Sequence, residues 1–164
     1  MRAAETDLHT RAHQPTTTMP KITPFLWFDA PLDEPIAYYQ SIFESFRVIS
    51  RNPMSAAFEI EGQRFHALNG GPQFRFNEAV SFFIDCEQQE EVDYYWDRLT
   101  AAGGEESMCG WLKDKYGLSW QVIPKALMQY LGDPDRAKAD RVTQAMLKMK
   151  KIDVAALDRA AAAS

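Results

Sequence analysis

The feature that most constrains the fold of this chain is a pattern that occurs twice. The stretch FDAPLDEPIAYY begins at Phe28, and the stretch IDCEQQEEVDYY begins 56 residues later at Ile84. In both, an aspartate ends a short apolar run, a glutamate follows five residues later, and a tyrosine pair comes next. Strand, turn and helix signals follow in the same order in both copies. The chain is therefore predicted to contain a duplicated unit.

The remainder of each copy predicts the same order of elements. For the first copy we predict a strand over 22–28, a helix over 32–43 and strands over 46–50, 56–61 and 63–69. For the second copy we predict a strand over 79–85, a helix over 87–102 and a hairpin formed by 107–113 and 118–123. At an offset of 55 residues, the hairpin glycine Gly62 falls on Gly117. We therefore predict an α+β fold of two βαβββ modules, over residues 19–71 and 78–124.

Two segments lie outside the predicted modules. Residues 1–18 are polar and lack the apolar core of a secretion signal, so we expect a disordered tail in which His9 and His13 are not metal ligands. Residues 125–164 are predicted to form a C-terminal helical extension. There Asp133 followed by Pro134 predicts a helix start, and a last short helix is predicted after Asp153. The apolar face of the extension is expected to pack on the body or on a second subunit.

Composition excludes several classes of function. The chain has 18 basic and 23 acidic residues and a net charge of −5, without the basic surface that nucleic acid requires. It has no apolar run of about 18 residues, so we expect no membrane partner. Only two cysteines, Cys86 and Cys109, are present. This number is typical of a reducing compartment rather than of a disulfide scaffold, and we predict a cytoplasmic protein.

Long stretches of the chain also resemble a known family. Four stretches carry the resemblance: ITPFLWFDAP, FHALNGGPQFRFNEAVSFFIDC, CGWLKDKYGLSWQVIP and AMLKMKKIDVAAL. They resemble the PhnB-like branch of the vicinal oxygen chelate superfamily. That superfamily includes glyoxalases, bleomycin-resistance proteins and extradiol dioxygenases. The resemblance implies paired modules that enclose a cleft, within one chain or across two, and we predict a homodimer. Members often carry the label 3-demethylubiquinone-9 3-methyltransferase. We expect no methyl transfer, because the glycine-rich turn of a Rossmann domain is missing after the first strand.

The resemblance implies where a metal site would lie. Metalloenzymes of the superfamily take ligands from the first and last strand of each unit, at positions held here by Thr23, His66, Ala79 and Gln121. Of these four residues, only His66 is a good ligand for a divalent ion. We therefore predict no cofactor and no metal; if a metal is bound, His66 is the expected ligand, with Glu59 or Glu61 in support.

The candidate ligand-binding residues follow from alternation along the first strand of each copy. One side of these strands carries the residues Thr23, Phe25, Trp27, Ala79, Ser81 and Phe83. His66 and Gln121 complete this set. His66 is either a strand histidine satisfied by a neighbour such as Gln121, or a donor or base in the cavity wall. No catalytic residue is predicted.

The aromatic character of these candidates suits an apolar or planar small molecule. We predict that the chain binds a small organic ligand in the cleft between its modules. Three alternatives remain at this point: a metal-dependent lyase, isomerase or dioxygenase of the same superfamily; the methyltransferase of the family label; and a structural or interaction protein with a closed cleft.

Overall fold

The computed structural model of the chain describes residues 20–163. Two four-stranded sheets form, with strand orders β1-β4-β3-β2 and β5-β8-β7-β6. The first module contains β1 (Phe25–Phe28), α1 (Asp33–Ile42), β2 (Phe46–Arg51), β3 (Ser55–Ile60) and β4 (Gln63–Asn69). The second contains β5 (Ser81–Cys86), α2 (Gln89–Thr100), β6 (Glu105–Glu106), β7 (Trp111–Lys113) and β8 (Ser119–Pro124). The predicted α+β class and the duplicated βαβββ unit are confirmed.

The two sheets repeat the same pairing. In each module the first strand lies parallel to the last, and the remaining pairs are antiparallel. In the first module the hairpin between β3 and β4 turns at Glu61 and Gly62, both with positive φ angles of 47° and 81°. This is the conformation that a two-residue turn between twisted strands requires. The glycine at 62 therefore sets the register that pairs Phe58 with Phe65.

The helices bury the residues that their periodicity predicts. On α1 the buried side chains include Ile36 and Tyr39, and on α2 they are Val92, Trp96 and Leu99. Each helix covers one face of its own sheet and leaves its polar residues exposed, as amphipathic spacing requires.

Three predicted boundaries were wrong in ways that matter for the site. The first strands begin at Phe25 and Ser81, so Thr23 and Ala79 precede them. Pro24 has no N–H to donate to a ladder, and the Ala79 N–H donates instead to the Asn77 side chain at 2.9 Å. The predicted strand 107–113 is interrupted, because Cys109 and Gly110 have positive φ angles. Their N–H groups donate to the carbonyl oxygens of Met149 and Lys150 in the extension.

The C-terminal extension forms α3 (Lys125–Leu131), α4 (Arg136–Met146) and α5 (Val154–Ala162). The start of α4 was predicted two residues too early: Asp135 is the N-cap and accepts from the Lys138 N–H at 3.2 Å. Asp133 instead accepts from the Asp135 N–H, which places it in the preceding turn. Asp153 caps α5 as predicted. No helix within 20–163 has the length and apolarity needed to cross a membrane.

The extension packs on its own chain. Its helices share a buried cluster with the end of β8, formed by Ile123, Leu127, Val142, Ile152 and Leu157. Within one chain, the apolar face of the extension therefore packs on the body. A larger core joins both modules, and that junction positions the site described next.

Candidate functional site

The two modules pack against each other through one face of each sheet, which we call the inner face. The inner face carries Phe65 in the first module and Phe82 and Trp120 in the second. The rings of Phe65 and Phe82 meet edge to face with centroids 5.0 Å apart. The ring of Phe43, which follows α1, lies 5.3 Å from Trp120, and the ring of Tyr39 lies 6.0 Å from it. Such pairs add specific geometry to the burial of apolar area. The junction is therefore an aromatic core shared by both modules.

A buried aspartate fixes the relative position of the modules. Asp114, only 2% exposed, accepts from the Tyr39 hydroxyl at 2.7 Å and from Trp120 Nε1 at 3.0 Å. Its second oxygen accepts from the backbone N–H groups of Tyr116 and Leu118, which shapes the turn between β7 and β8. One carboxylate thus joins α1 of the first module to the last hairpin of the second.

Burial changes the acidity of this network. It raises the pKa of the Asp114 carboxyl, against the opposing effect of its four hydrogen bonds. Burial and the nearby Asp114 charge also raise the pKa of Tyr39 well above its usual range. Neither side chain lines the cavity beside the junction. The network therefore serves to hold the modules together.

Beside this junction lies a cavity of about 550 Å³. It borders the free edge of β5, which pairs only with β8, and extends to the β3–β4 hairpin. The first module supplies Phe43, Ile60, Glu61, Gln63 and Phe65, and the second supplies Ser81, Phe82, Phe83, Ile84, Asp85, Glu91, Tyr95 and Trp120. Because both modules contribute, the cavity exists only when they are docked.

The lining is aromatic and acidic. Of the lining residues within 20–163, six are aromatic, three are carboxylates and none is basic. Glu61 accepts from the Ser45 N–H at 2.9 Å, and Glu91 accepts from the Glu87 N–H. The pKa of Tyr95 is raised to about 12, chiefly by burial and then by the charges of Glu61 and Glu91. The charged side chains in the described lining are therefore all acidic.

Three predicted site residues of the first module lie on the outer face of its sheet, opposite the junction. Phe25 is 61% exposed, and its ring stacks on that of His66 at 5.8 Å. The Trp27 indole donates to the Gly71 carbonyl at 2.8 Å and meets the ring of Phe74 edge to face. Phe25, Trp27 and His66 are thus brought together, as their alternation predicts.

The predicted residues of the second module lie on the corresponding outer face. The Gln121 amide donates to the Ser81 hydroxyl at 2.9 Å, and Phe83 is 48% exposed. Gln121 was expected to satisfy His66, but its side chain is bonded within its own module. The outer faces of the two sheets do not meet within one chain, because the modules dock through their inner faces.

Only Ser81 and Phe83 of the predicted set line the cavity at the junction. The prediction missed Phe43, Glu61, Glu91, Tyr95 and Trp120. Helical periodicity places Phe43 and Tyr95 on the apolar faces of the predicted helices 32–43 and 87–102, which is also the signal of ordinary core residues. The repeat did offer one usable signal, since Phe43 and Leu99 occupy equivalent helix positions, and the aromatic copy faces the cavity.

Within one chain, the described donors do not come together as a metal site. Within 20–163, no three side chains of His, Cys, Asp and Glu are clustered so that they could hold an ion. His66 lies beside Phe25 and Ala57 in the sheet, neither of which is a ligand. Thr23 and Ala79 lie before their strands, and the Gln121 amide is engaged with Ser81. No chemical step is therefore assigned to a metal in this chain.

Comparison with known proteins gives consistent matches. The sequence model of the 3-demethylubiquinone-9 3-methyltransferase family matches residues 20–123. The PhnB protein of Bacillus cereus, a putative 3-demethylubiquinone-9 3-methyltransferase, is 29% identical, with a TM-score of 0.58 over 64% of this chain and 99% of its own. Protein PA1353 of Pseudomonas aeruginosa has a similar fold, with a TM-score of 0.52 and 18% identity over 65% of this chain and 98% of its own. No curated protein gives a significant match.

Proposed function

Because the chain belongs to the 3-demethylubiquinone-9 3-methyltransferase family, the PhnB-like branch of the vicinal oxygen chelate superfamily, we propose that it binds a small organic molecule between its two modules. The observation that carries this proposal is the cavity of about 550 Å³ at their junction. Its volume lies within the range of about 300–1,000 Å³ that is typical of ligand sites, and six aromatic side chains contribute to its walls.

The shape of the cavity supports a planar or apolar ligand. Phe43 and Tyr95 stack with ring centroids 5.4 Å apart, and the Trp120 ring adjoins Phe43. Such a wall offers flat apolar area, while the free edge of β5 offers backbone N–H and C=O groups that can orient a polar substituent.

Methyl transfer is not proposed, although the family label names it. Each sheet contains a single parallel pair, and each module a single long helix between its strands. A doubly wound parallel sheet, with a glycine-rich turn at a helix start, is the arrangement that holds the nucleotide part of S-adenosylmethionine in Rossmann methyltransferases.

We further propose that two chains form a homodimer. The outer sheet faces carry exposed Phe25 and Phe83, and Val80 before β5 is 64% exposed. Apolar side chains grouped in this way favour a contact with another protein surface. In such a dimer, the outer face of one chain's first module would face that of its partner's second module, which would bring His66 and Gln121 to a shared cleft.

A ligand screen tests the proposed function directly. We expect planar aromatic compounds to shift ¹H–¹⁵N signals of the 81–85 backbone and of the Trp120 indole. The variant Gln63→Trp places an indole at the cavity wall and should abolish these shifts. Gln73→Trp, the same substitution at an exposed loop position, is the matched control and should leave them unchanged.

A second experiment on the same purified protein distinguishes the proposed ligand-binding function from the metal-dependent alternative. Thermal unfolding is measured with Zn²⁺, Mn²⁺, Ni²⁺ and Fe²⁺ for the wild type and for His66→Ala. We expect no stabilisation that depends on His66. Stoichiometric metal with His66-dependent stabilisation, and no compound that shifts the cavity signals, would replace the proposal with a metalloenzyme.

A further inference from the structure

The charge of the junction cavity identifies the class of ligand more narrowly than its shape. Among residues 20–163, Glu61, Asp85 and Glu91 line it, and no Lys, Arg or His does. Lys125, a basic side chain close enough to interact with the charges of Asp85 and Glu91, is ion-paired with Glu87 outside the lining. Within the described part of the chain, the cavity is therefore lined by three carboxylates and by no basic side chain.

Two of the three carboxylates, those of Glu61 and Glu91, are held in place by backbone hydrogen bonds and have no ion pair among the described residues. The Ser45 N–H donates to one carboxylate oxygen of Glu61, and the Glu87 N–H donates to one carboxylate oxygen of Glu91. Within the described part of the chain, Asp85 has no hydrogen bond or ion pair from its side chain. Fixed carboxylates at the wall of an apolar cavity concentrate the electric field there and attract a counter-ion.

The aromatic walls favour the same charge. The rings of Phe43, Phe65, Tyr95 and Trp120 line the space that the carboxylates border, and Tyr95 is the most exposed of the four. Aromatic faces carry a partial negative charge and attract an organic cation, most strongly where water is displaced. An anionic ligand would meet repulsion from both the carboxylates and the rings.

We propose that the cavity is selective for an organic cation, a planar or apolar group that carries a protonated amine or a quaternary ammonium. This inference rests on the proposed function, since it names the ligand class of the same site. In the bound state the ring system lies against Tyr95 and Phe83, two lining rings with exposed surface, and the ammonium group lies near Glu61 and Glu91.

A charge series on one ring system tests the selectivity. The probes are 1-naphthylmethylamine, 1-naphthylmethanol and 1-naphthoate, which carry charges of about +1, 0 and −1 at pH 7. Dissociation constants are measured by NMR titration of the 81–85 signals. We expect the amine to bind about tenfold more tightly than the alcohol, and the carboxylate to bind least tightly.

Variants show whether the carboxylates cause the preference. In Glu61→Gln/Glu91→Gln the amide oxygens can still accept from Ser45 and Glu87, so the backbone is retained while two charges are removed. The amine should lose about tenfold in affinity, and the alcohol should change by less than about twofold. Asp140→Asn, which neutralises an exposed carboxylate on α4, is the control and should change neither.

The outcomes separate the two proposals. If amine and alcohol bind equally well, or if the double variant weakens both alike, the cavity is a ligand site without charge selectivity, and only this inference fails. If none of the three naphthalene probes shifts the cavity signals at millimolar concentration, both the inference and the proposed function fail.

Discussion

At the scale of single residues, Asp114 determines whether the junction can form. Its two oxygens receive four donors, two from aromatic side chains and two from backbone amides. A buried carboxylate is tolerated only with this degree of hydrogen bonding. The residue lies in the motif KDKYG, and the sequence alone could not show that its partner is Tyr39, which is 75 residues away.

The substitution Asp114→Asn should destabilise the protein by about 3 kcal/mol, because a buried donor is then left against another donor. The asparagine NH₂ must face either the Trp120 N–H or the backbone amides. Tyr39→Phe, which removes one of the four hydrogen bonds, should cost about 1 kcal/mol. Urea unfolding measures both, and equal stability of Asp114→Asn and wild type would show that the network does not hold the junction.

At the scale of elements, the interruption before β7 ties the second sheet to the extension. Gly110 has a φ angle of 82°, and a Cβ placed there would lie 2.9 Å from the Val122 carbonyl oxygen and 2.7 Å from the Ile123 side chain. Gly117 has nearly the same φ angle, 83°, but open space around it. A side chain at either position would strain the backbone, but only a side chain at Gly110 would also clash with neighbouring atoms.

Both glycines are expected to resist substitution, to different extents. Gly117→Ala should cost about 1–2 kcal/mol, the penalty of a left-handed conformation. Gly110→Ala should cost clearly more, because the added methyl group also forces β8 and the extension apart. Urea unfolding of the two variants gives the comparison, and equal losses would contradict the close packing of the extension on β8.

Much of the secondary structure could be predicted from the sequence. The repeated motif fixed the element order, and amphipathic spacing identified Ile36, Val92 and Leu99 as buried. The predicted starts of the first strands were wrong for local reasons. Pro24 shortens β1 at its start, and the hydrogen bond to the Asn77 side chain shortens β5. The start of α4 depends on which of two nearby aspartates faces the first turn, and the residue types alone do not decide this.

At the scale of the whole molecule, the docking of the modules could not be predicted. Both faces of β1 carry aromatic residues, Phe25 and Trp27 on one side and Phe28 on the other. Alternation shows that the faces differ, but it does not show which one meets the second module. The candidate site was therefore placed on the outer faces, whereas the cavity lies beside the junction along the free edge of β5 and shares only Ser81 and Phe83 with that site.

Alkaline pH should loosen this junction. The pKa of Tyr95 and that of Tyr116 are each raised to about 12, chiefly because both side chains are partly buried. The unfolded chain releases these protons near pH 10, while the folded chain retains them. Their contribution to stability is thus complete below pH 10 and is lost as the pH rises from about 10 to 12.

Urea unfolding between pH 8 and pH 12 measures this loss, with tyrosinate absorbance to follow ionisation. Tyr116→Phe should decline less steeply with pH, because one of the shifted groups is absent. The Tyr116 hydroxyl is buried without a partner among the described residues, so this variant should fold well at pH 8. Stability that is constant from pH 10 to pH 12 would show that the pKa values of Tyr95 and Tyr116 are not raised in the folded protein.

The central claim is that the ligand lies between the two modules, and a crystal structure of the protein with the tightest-binding compound tests it most directly. We predict that the compound lies in the junction cavity, against Tyr95 and Phe83. A compound found instead on the outer face, against Phe25 and His66, would contradict the claim and move the functional site to the sheet surface.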